Sequence, residues 1–402
     1  MPERAVITGI GVMSPLGRGA DALWSAATNG RCGISRTPGG DSALLAGQLA
    51  ATVPESLFSQ RFRDAAGRPL LGRAAAIASL AARDALASAN KIGGEVDLVV
   101  GTTMGEPTWI DTWPDADAAR SPPPPDRAVE LLRGAPDGLA ASIADASGVS
   151  GRVSAVGGAC AAGNYALARA LDDVRSGRAT QVLAGGVDAF SRTAFIGFAK
   201  LGALATDRCR PFGLGREGLV LGEGAAFLLV EAQSSAQRRG AEVLAELIGA
   251  GLSCDASHPT SPHPEGRGAT QALLGALDDA GVTGDDVDWV SAHGTGTKAN
   301  DRTEVIALGN AFPDRRPPIS SLKSLTGHGL GAASAIEAVL CVLALGQQIV
   351  PPTWFVGDQD PDCAWDIVAD GPRAAALNVV VNEAYAFGGC NAVTVLRAPE
   401  AS

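Results

Sequence analysis

Aromatic residues are scarce in this 402-residue sequence, at 4% in all, with six Trp, two Tyr and ten Phe. A core made without them relies on small and aliphatic side chains, and the 51 glycines and abundant alanine suit close helix-on-sheet packing. No apolar run reads as long enough to span a bilayer. The seven cysteines (Cys32, Cys160, Cys209, Cys254, Cys341, Cys363 and Cys390) are odd in number, scattered and free of any C-x-x-C pair. That pattern argues against a disulfide scaffold and a zinc cage, and predicts a reducing compartment, the cytoplasm. Basic residues are outnumbered 43 to 32, and the net charge of −11 argues against general nucleic-acid or anionic-membrane binding. The opening MPERAVITGIGVMSPLG puts charge before a short apolar run that stops at glycine, the pattern of a first β-strand rather than a signal peptide.

What is present alternates. Short apolar runs at Val96–Val100, Val182–Ala184 and Val379–Val381 have the bounds of buried strands, and Arg73–Ala89 has helical spacing, so the chain reads as α/β. It also repeats itself. An Ala-rich amphipathic segment, a strand and a Gly/Thr loop follow one another in GRAAAIASLAARDALASANKIGGEVDLVVGTTMGE and again in GATQALLGALDDAGVTGDDVDWVSAHGTGT. Downstream, VSAVGGA leads through Cys160 into one helix and PPISSLKSLTGHG leads through His328 into another. Two βαβ-type halves, residues 1–245 and 246–402, are expected to face each other across a shared site. Glu106–Pro136, with four consecutive prolines, breaks the pattern and reads as a semi-rigid surface excursion.

Cys160 stands in VGGACAAGN, between a strand end and the first turn of a helix, where unpaired N–H groups and the helix dipole favour a thiolate. Small neighbours leave room for a thioester. Two of the four histidines, His293 and His328, lie in glycine-rich loops, where glycine permits the turns that aim an imidazole outward. His258 and His263, in CDASHPTSPHPEG, read as solvent-facing or pocket-rim residues. A nucleophile elbow requires G-x-S/C-x-G, but the second glycine falls one place late at Gly163, which weakens a hydrolase reading. GTGTKAND fits no P-loop.

Four ordered motifs carry a resemblance that spans Arg4 to Arg397. They are A-C-x-x-G at Ala159–Gly163, H-G-T-G-T with N-D and E at His293–Glu304, K-x-x-x-G-H-x-x-G-A-A at Lys323–Ala333, and A-F-G-G-x-N at Ala386–Asn391. Together they resemble the elongating β-ketoacyl-acyl-carrier-protein synthases of the thiolase superfamily. The resemblance implies a five-layer α-β-α-β-α thiolase fold and a homodimer, or a heterodimer with a related ketosynthase or chain-length-factor subunit. It implies Cys160 as nucleophile, His293 and His328 for the decarboxylation step, Lys323 to support His328, and Glu337 on the following helix. Backbone N–H groups of Cys160 and Phe387 would form the oxyanion hole, with Phe387 also the gate. Thr295, Thr297, Thr260 and Ser261 match contacts to the pantetheine arm, and Phe198 and Met104 fall near the acyl pocket.

The implied chemistry moves an acyl group from carrier-protein phosphopantetheine to Cys160. A malonyl carrier then loses carbon dioxide and condenses with it, with no metal or redox cofactor. Arg61, Arg63 and Arg68 are candidates for carrier docking. The chain departs from the family at Arg210-Pro211-Phe212-Gly213, where an aspartate is usual, and at Gly105-Glu106, which puts a carboxylate near the acyl pocket or dimer seam. Glu383-Ala384-Tyr385-Ala386 replaces the usual N-S-F-G. Fatty-acid and polyketide or polyene assembly both stay open. The rivals are a non-catalytic chain-length-factor-like partner, disfavoured by the presence of Cys160 and both histidines, and a degradative thiolase, whose second cysteine would be Cys390.

Overall fold

In the computed structural model the described residues are 3–37, 45–58, 62, 70–90, 92–111 and 131–400. The first half contributes strands β1 (Ala5–Ser14), β2 (Asp97–Gly101), β3 (Val153–Val156), β4 (Gln181–Asp188) and β5 (Gly224–Ala232). The second contributes β6 (Ala245–Cys254), β7 (Trp289–Ser291), β8 (Ile319–Ser320), β9 (Val379–Tyr385) and β10 (Cys390–Arg397). Numbered within its own half, each set of five runs in the spatial order 3-2-4-5-1. In both, the second strand is parallel to the third and fourth, while the fourth–fifth and fifth–first pairs are antiparallel. The duplication read from the sequence is therefore a duplication of topology. The two sets also join edge to edge, because β1 and β6 pair at Val6–Glu246 and Ile7–Ala245.

Helices α1 (Arg73–Ser88) and α2 (Pro136–Ser147) cover the outer face of the first sheet, and α4 (Arg267–Ala280) and α5 (Lys298–Ala311) that of the second. Between the sheets lie α3 (Ala162–Arg175) and α6 (Ala333–Gln347), which pack on each other. This is the five-layer α-β-α-β-α thiolase fold. Small residues set its thickness. A Cβ on Gly9 or Gly11 of β1 would collide with the backbone of α1 at Ala85 and Ala81, and the equivalent Gly249 and Gly251 of β6 stand in the same relation to α4 at Ala276 and Ala272. Layers in this chain pack backbone to backbone, with no gap for aromatic side chains to fill.

Leu330–Gln347, which contains α6, is apolar and long enough to cross a membrane, unlike any run anticipated above. It is apolar on every side because it is buried on every side, from Ala333 to Leu345 apart from Leu343. The proline run and Arg61, Arg63 and Arg68 lie outside the described residues. At the outer edge of the first sheet, β3 has one hydrogen-bonded neighbour among the described residues, and Val153 on it is 41% exposed.

Candidate functional site

The carboxyl ends of corresponding strands converge on one cavity. β3 ends two residues before a short turn, Ala159–Ala161, that leads directly into α3, and Cys160 sits in that turn. Ala159 holds φ +46°, a left-handed conformation rarely adopted by residues with a side chain, so the thiol is presented by a strained backbone. The pseudo-equivalent turn of the second half is Leu330–Ala332 before α6, again with positive φ at its first residue. Gly331 there takes the place of the cysteine. The site is thus asymmetric within a symmetric frame, with the thiol from one half and the histidines from the other.

His293 follows β7, and its ring meets that of His328 edge-on with centroids 5.3 Å apart. Both imidazoles are buried and line the cavity with Cys160, Thr295, Thr297 and Phe387. Their Nδ1 atoms have no hydrogen-bond partner among the described residues. Burial, then the nearby Lys323 charge, pushes both imidazoles well below the usual range, and His328 adds to the depression of His293. The His328 backbone is fixed by N–H donation to the Val220 carbonyl (2.7 Å). Behind the histidines, fully buried Lys323 donates from Nζ to Glu337 Oε1 at 2.6 Å. Burial raises the Glu337 carboxyl to about 7 against the attraction of Lys323.

Carboxylates hold the His293 loop by its backbone. Glu304 accepts from His293 N (2.6 Å) and Gly294 N (2.8 Å), and Asp301 accepts from Thr295 N and Gly296 N, both at 3.1 Å. Thr297 caps α5 by accepting from Asn300 N, and its hydroxyl meets that of Thr295 at 2.9 Å. Across the cavity, Gly388 and Gly389 take φ +79° and +74°, the turn that brings Phe387 over Cys160. The backbone N–H groups of Phe387 and of Cys160 itself both lie within hydrogen-bonding reach of the Cys160 sulfur.

The Phe387 ring stacks on Phe198 at 5.4 Å. Phe198 belongs to an apolar cluster that surrounds Cys160, with Phe195, Leu219, Leu221 and Leu330. Met104 packs against that cluster but forms no part of the cavity wall. Thr260 and Ser261 stand at the cavity entrance, their backbone N–H groups held by exposed His258 Nδ1 at 3.1 and 3.0 Å. Half-buried His263 is outside the wall.

Two expectations are corrected. First, the N–H groups at the helix start do not bring the Cys160 thiol below its ordinary value, because burial outweighs them and pushes it up to about 12. Lys323 and the two N–H groups pull it down, and Asp188 adds to the rise. Second, Glu106 does not approach the acyl pocket. Its buried carboxylate accepts from Ala75 N (2.9 Å) and the Thr108 hydroxyl (2.6 Å), so it caps the start of α1. The rival thiolase reading gains no support, since Cys390 faces Cys254 across the β6–β10 pairing, outside the cavity wall. The unusual Gly213 has a local reason, since a Cβ there would collide with the Val356 carbonyl.

Sequence reading missed several groups. Asp188, fully buried, accepts from Thr102 Oγ1, Thr103 N, Met104 N and Gly331 N, and ties the loop after β2 and the Leu330–Ala332 turn to the end of β4. Asp255 at the entrance accepts from His263 N and Asn391 Nδ2. Tyr385 lines the cavity 6.0 Å from the His293 ring. Only a carboxylate's isolation among apolar residues could have flagged Asp188.

Known proteins agree with this geometry. Residues 2–236 match the family described as beta-ketoacyl synthase, N-terminal domain, and residues 244–356 match beta-ketoacyl synthase, C-terminal domain. Nodulation protein E of Rhizobium meliloti is 36% identical over 405 residues, covering 99% of this chain and all of that protein. A 3-oxoacyl-[acyl-carrier-protein] synthase 2 of Staphylococcus aureus strain N315 is 33% identical over 416 residues, covering 99% of each. The solved ishigamide ketosynthase/chain length factor superposes with a TM-score of 0.91 at 37% identity, covering 99% of this chain and all of that one.

A thiolase fold with a buried thiol facing two neutral imidazoles defines a condensing acyltransferase. The chain belongs to the β-ketoacyl synthase family.

Proposed function

We propose that Cys160 carries the growing acyl chain and that His293 and His328 stabilise the enolate of a decarboxylating malonyl thioester. The observation that carries this is the single cavity shared by the thiol, both imidazoles and the Phe387 N–H. In the first step the Cys160 sulfur bonds to the acyl carbon and the carrier's pantetheine sulfur leaves, taking the thiol proton. The carbonyl oxygen, negative in the tetrahedral intermediate, is held by the N–H groups of Cys160 and Phe387, each worth about 3–4 kcal/mol in such a role.

In the second step the malonyl carrier loses carbon dioxide, and the enolate oxygen accepts from the Nε2–H groups of the two histidines. Its carbon attacks the Cys160 thioester, releasing the β-ketoacyl product on the carrier and a cysteine thiolate, which takes a proton from solvent to restore the thiol. Neutral imidazoles suit this role because each keeps one N–H to donate. Nothing in this sequence of steps calls for a metal or redox cofactor. Phosphopantetheine arrives with the substrate, reaching in past Thr260 and Ser261 to the hydroxyls of Thr295 and Thr297. Thiols at all seven cysteines fit a cytoplasmic setting.

The partner expected is an acyl carrier protein, as in the name of the Staphylococcus relative. A second subunit of the same fold is also expected. The half-exposed edge strand β3 supports this, since an unpaired strand edge is normally covered, as does the ketosynthase/chain length factor similarity. Intact-mass measurement of Cys160 acylation across acyl carriers of increasing length tests the function: a thioester adduct followed by its consumption on adding malonyl carrier is expected. No adduct with any carrier would favour the chain-length-factor reading.

The depressed histidines add a pH prediction. Condensation should stay flat as pH falls through about 6.5, where an ordinary imidazole gains its proton, and decline only well below that. Stability behaves differently: below about 6.5 the unfolded histidines take protons that the folded ones refuse, so the fold weakens as pH falls toward the depressed values. A pH–rate profile halved near 6.5 would contradict the assignment.

A further inference from the structure

Behind His293 two carboxyl groups share one buried space. Glu304 on α5 accepts three N–H bonds, from His293 N, Gly294 N and Asn300 Nδ2 (3.0 Å). Glu383 on β9 accepts none, and neither of its oxygens has an aligned partner although the residue is fully buried. The parallel register Ser291–Asn382 places Glu383 one step on, beside the β7 end that turns into His293. The polar groups acting on it are Glu304 and the buried Tyr385 hydroxyl, which lies within hydrogen-bonding reach of it. Two anions are disfavoured there, and of the pair Glu304, with its three donors, ionises more readily, although burial and then the Asp301 charge raise it to about 7.

We infer that Glu383 is a positioning residue for His293, its carboxylic acid staying protonated and donating an O–H···O bond to the Glu304 carboxylate. That bond would tie the His293–Gly294 backbone to the strand leading to Phe387, so that one proton links the two sides of the cavity. An acid kept neutral by its surroundings so that it can donate is an established device. In the usual N-S-F-G sequence an Asn, whose amide can donate at every pH, stands in place of Glu383. Burial first, then the Glu304 charge, pushes the Glu383 carboxyl well above its ordinary range. Other charges facing the pair are Asp301 and Lys323, which act on Glu304 with opposite signs.

The sign follows. A folded-state value above the unfolded one gives a stabilisation that is present at low pH and is lost as pH rises through the folded value. The inference rests on the assignment of His293 to the decarboxylative step, and its test separates the two. Wild type, Glu383→Gln and Glu383→Leu are compared by thermal unfolding across pH, by Cys160 acylation rate and by condensation rate.

Glu383→Leu should slow condensation on the order of tenfold while leaving acylation nearly intact. Glu383→Gln, which donates at every pH, should restore most of that loss and flatten the alkaline fall of both condensation and unfolding temperature. Superposable alkaline falls in wild type and Glu383→Gln, or equal impairment of condensation and acylation, would overturn it. A wild type that acylates but never condenses would overturn the functional reading, and the unfolding profiles would still decide the carboxyl pair.

Discussion

Cys160→Ala should give a folded protein that takes no acyl adduct and has lost condensation by on the order of 10³-fold or more, as removal of a covalent nucleophile does elsewhere. The substitution is mild for the fold. Cys160 is 5% exposed in a turn between Ala159 and Ala161, and trimming one sulfur there should cost about 1 kcal/mol. Activity and stability therefore separate cleanly, which a circular-dichroism melt alongside the mass assay would verify. Serine should not rescue, because a hydroxyl in the same buried turn is a far weaker nucleophile than a thiol.

The raised thiol adds a quantitative corollary. With the sulfur pushed to about 12, alkylation by iodoacetamide should be slower at pH 7 than for an exposed cysteine. It should climb about tenfold per pH unit above neutrality, since only the thiolate reacts. Rapid alkylation at pH 6 would mean that the Cys160 and Phe387 N–H groups outweigh burial. Full product formation by Cys160→Ala would return the chain to the non-catalytic partner class.

Much of this was legible in the residues. Strands β2, β4 and β9 and helix α1 coincide with runs whose period and bounds marked them, because each buries one face or all of itself. The duplicated halves were legible for the same reason, and the Gly9/Gly11 and Gly249/Gly251 pairs show the repeat at the level of single contacts. That Cys160, His293 and His328 line one cavity was legible from their glycine-rich settings and ordered motifs.

What was not legible depends on depth and direction. The position of Cys160 before α3 advertises its N–H groups, but not the burial that overrides them. Glu106 follows the β2 strand end closely, and nothing in GTTMGE tells that its side chain turns to the start of α1 rather than toward the thiol. Asp188 and Glu304 act by accepting backbone N–H groups from loops far away in sequence or several residues off, and backbone donors leave no sequence trace.

The Lys323–Glu337 pair should dominate the stability of the site, and asymmetrically. Both side chains are buried within 2% exposure and meet at 2.6 Å, so neither can turn to water when its partner is removed. Glu337→Leu strands a lysine cation, and unfolding in urea should show a loss of about 3–5 kcal/mol. Lys323→Met strands a carboxyl that has an escape: burial already holds it near 7, and without the cation it moves further up and stays protonated. Its loss should therefore be smaller at pH 6 and grow as pH rises through the shifted value. Replacing both, Lys323→Met with Glu337→Leu, should recover much of the Glu337→Leu loss, since two apolar side chains of similar size suit this core. Equal losses for the two single variants at pH 6, or a double variant worse than either, would mean that the pair is not the closed unit its geometry describes. Condensation should not recover in the double variant. The Lys323 charge depresses both imidazoles and pulls the Cys160 thiol down toward ionisation, so it serves all three reacting groups from a position none of them touches as a hydrogen-bond partner. A stable but inactive double variant is the result that separates what the cation does for the fold from what it does for the chemistry.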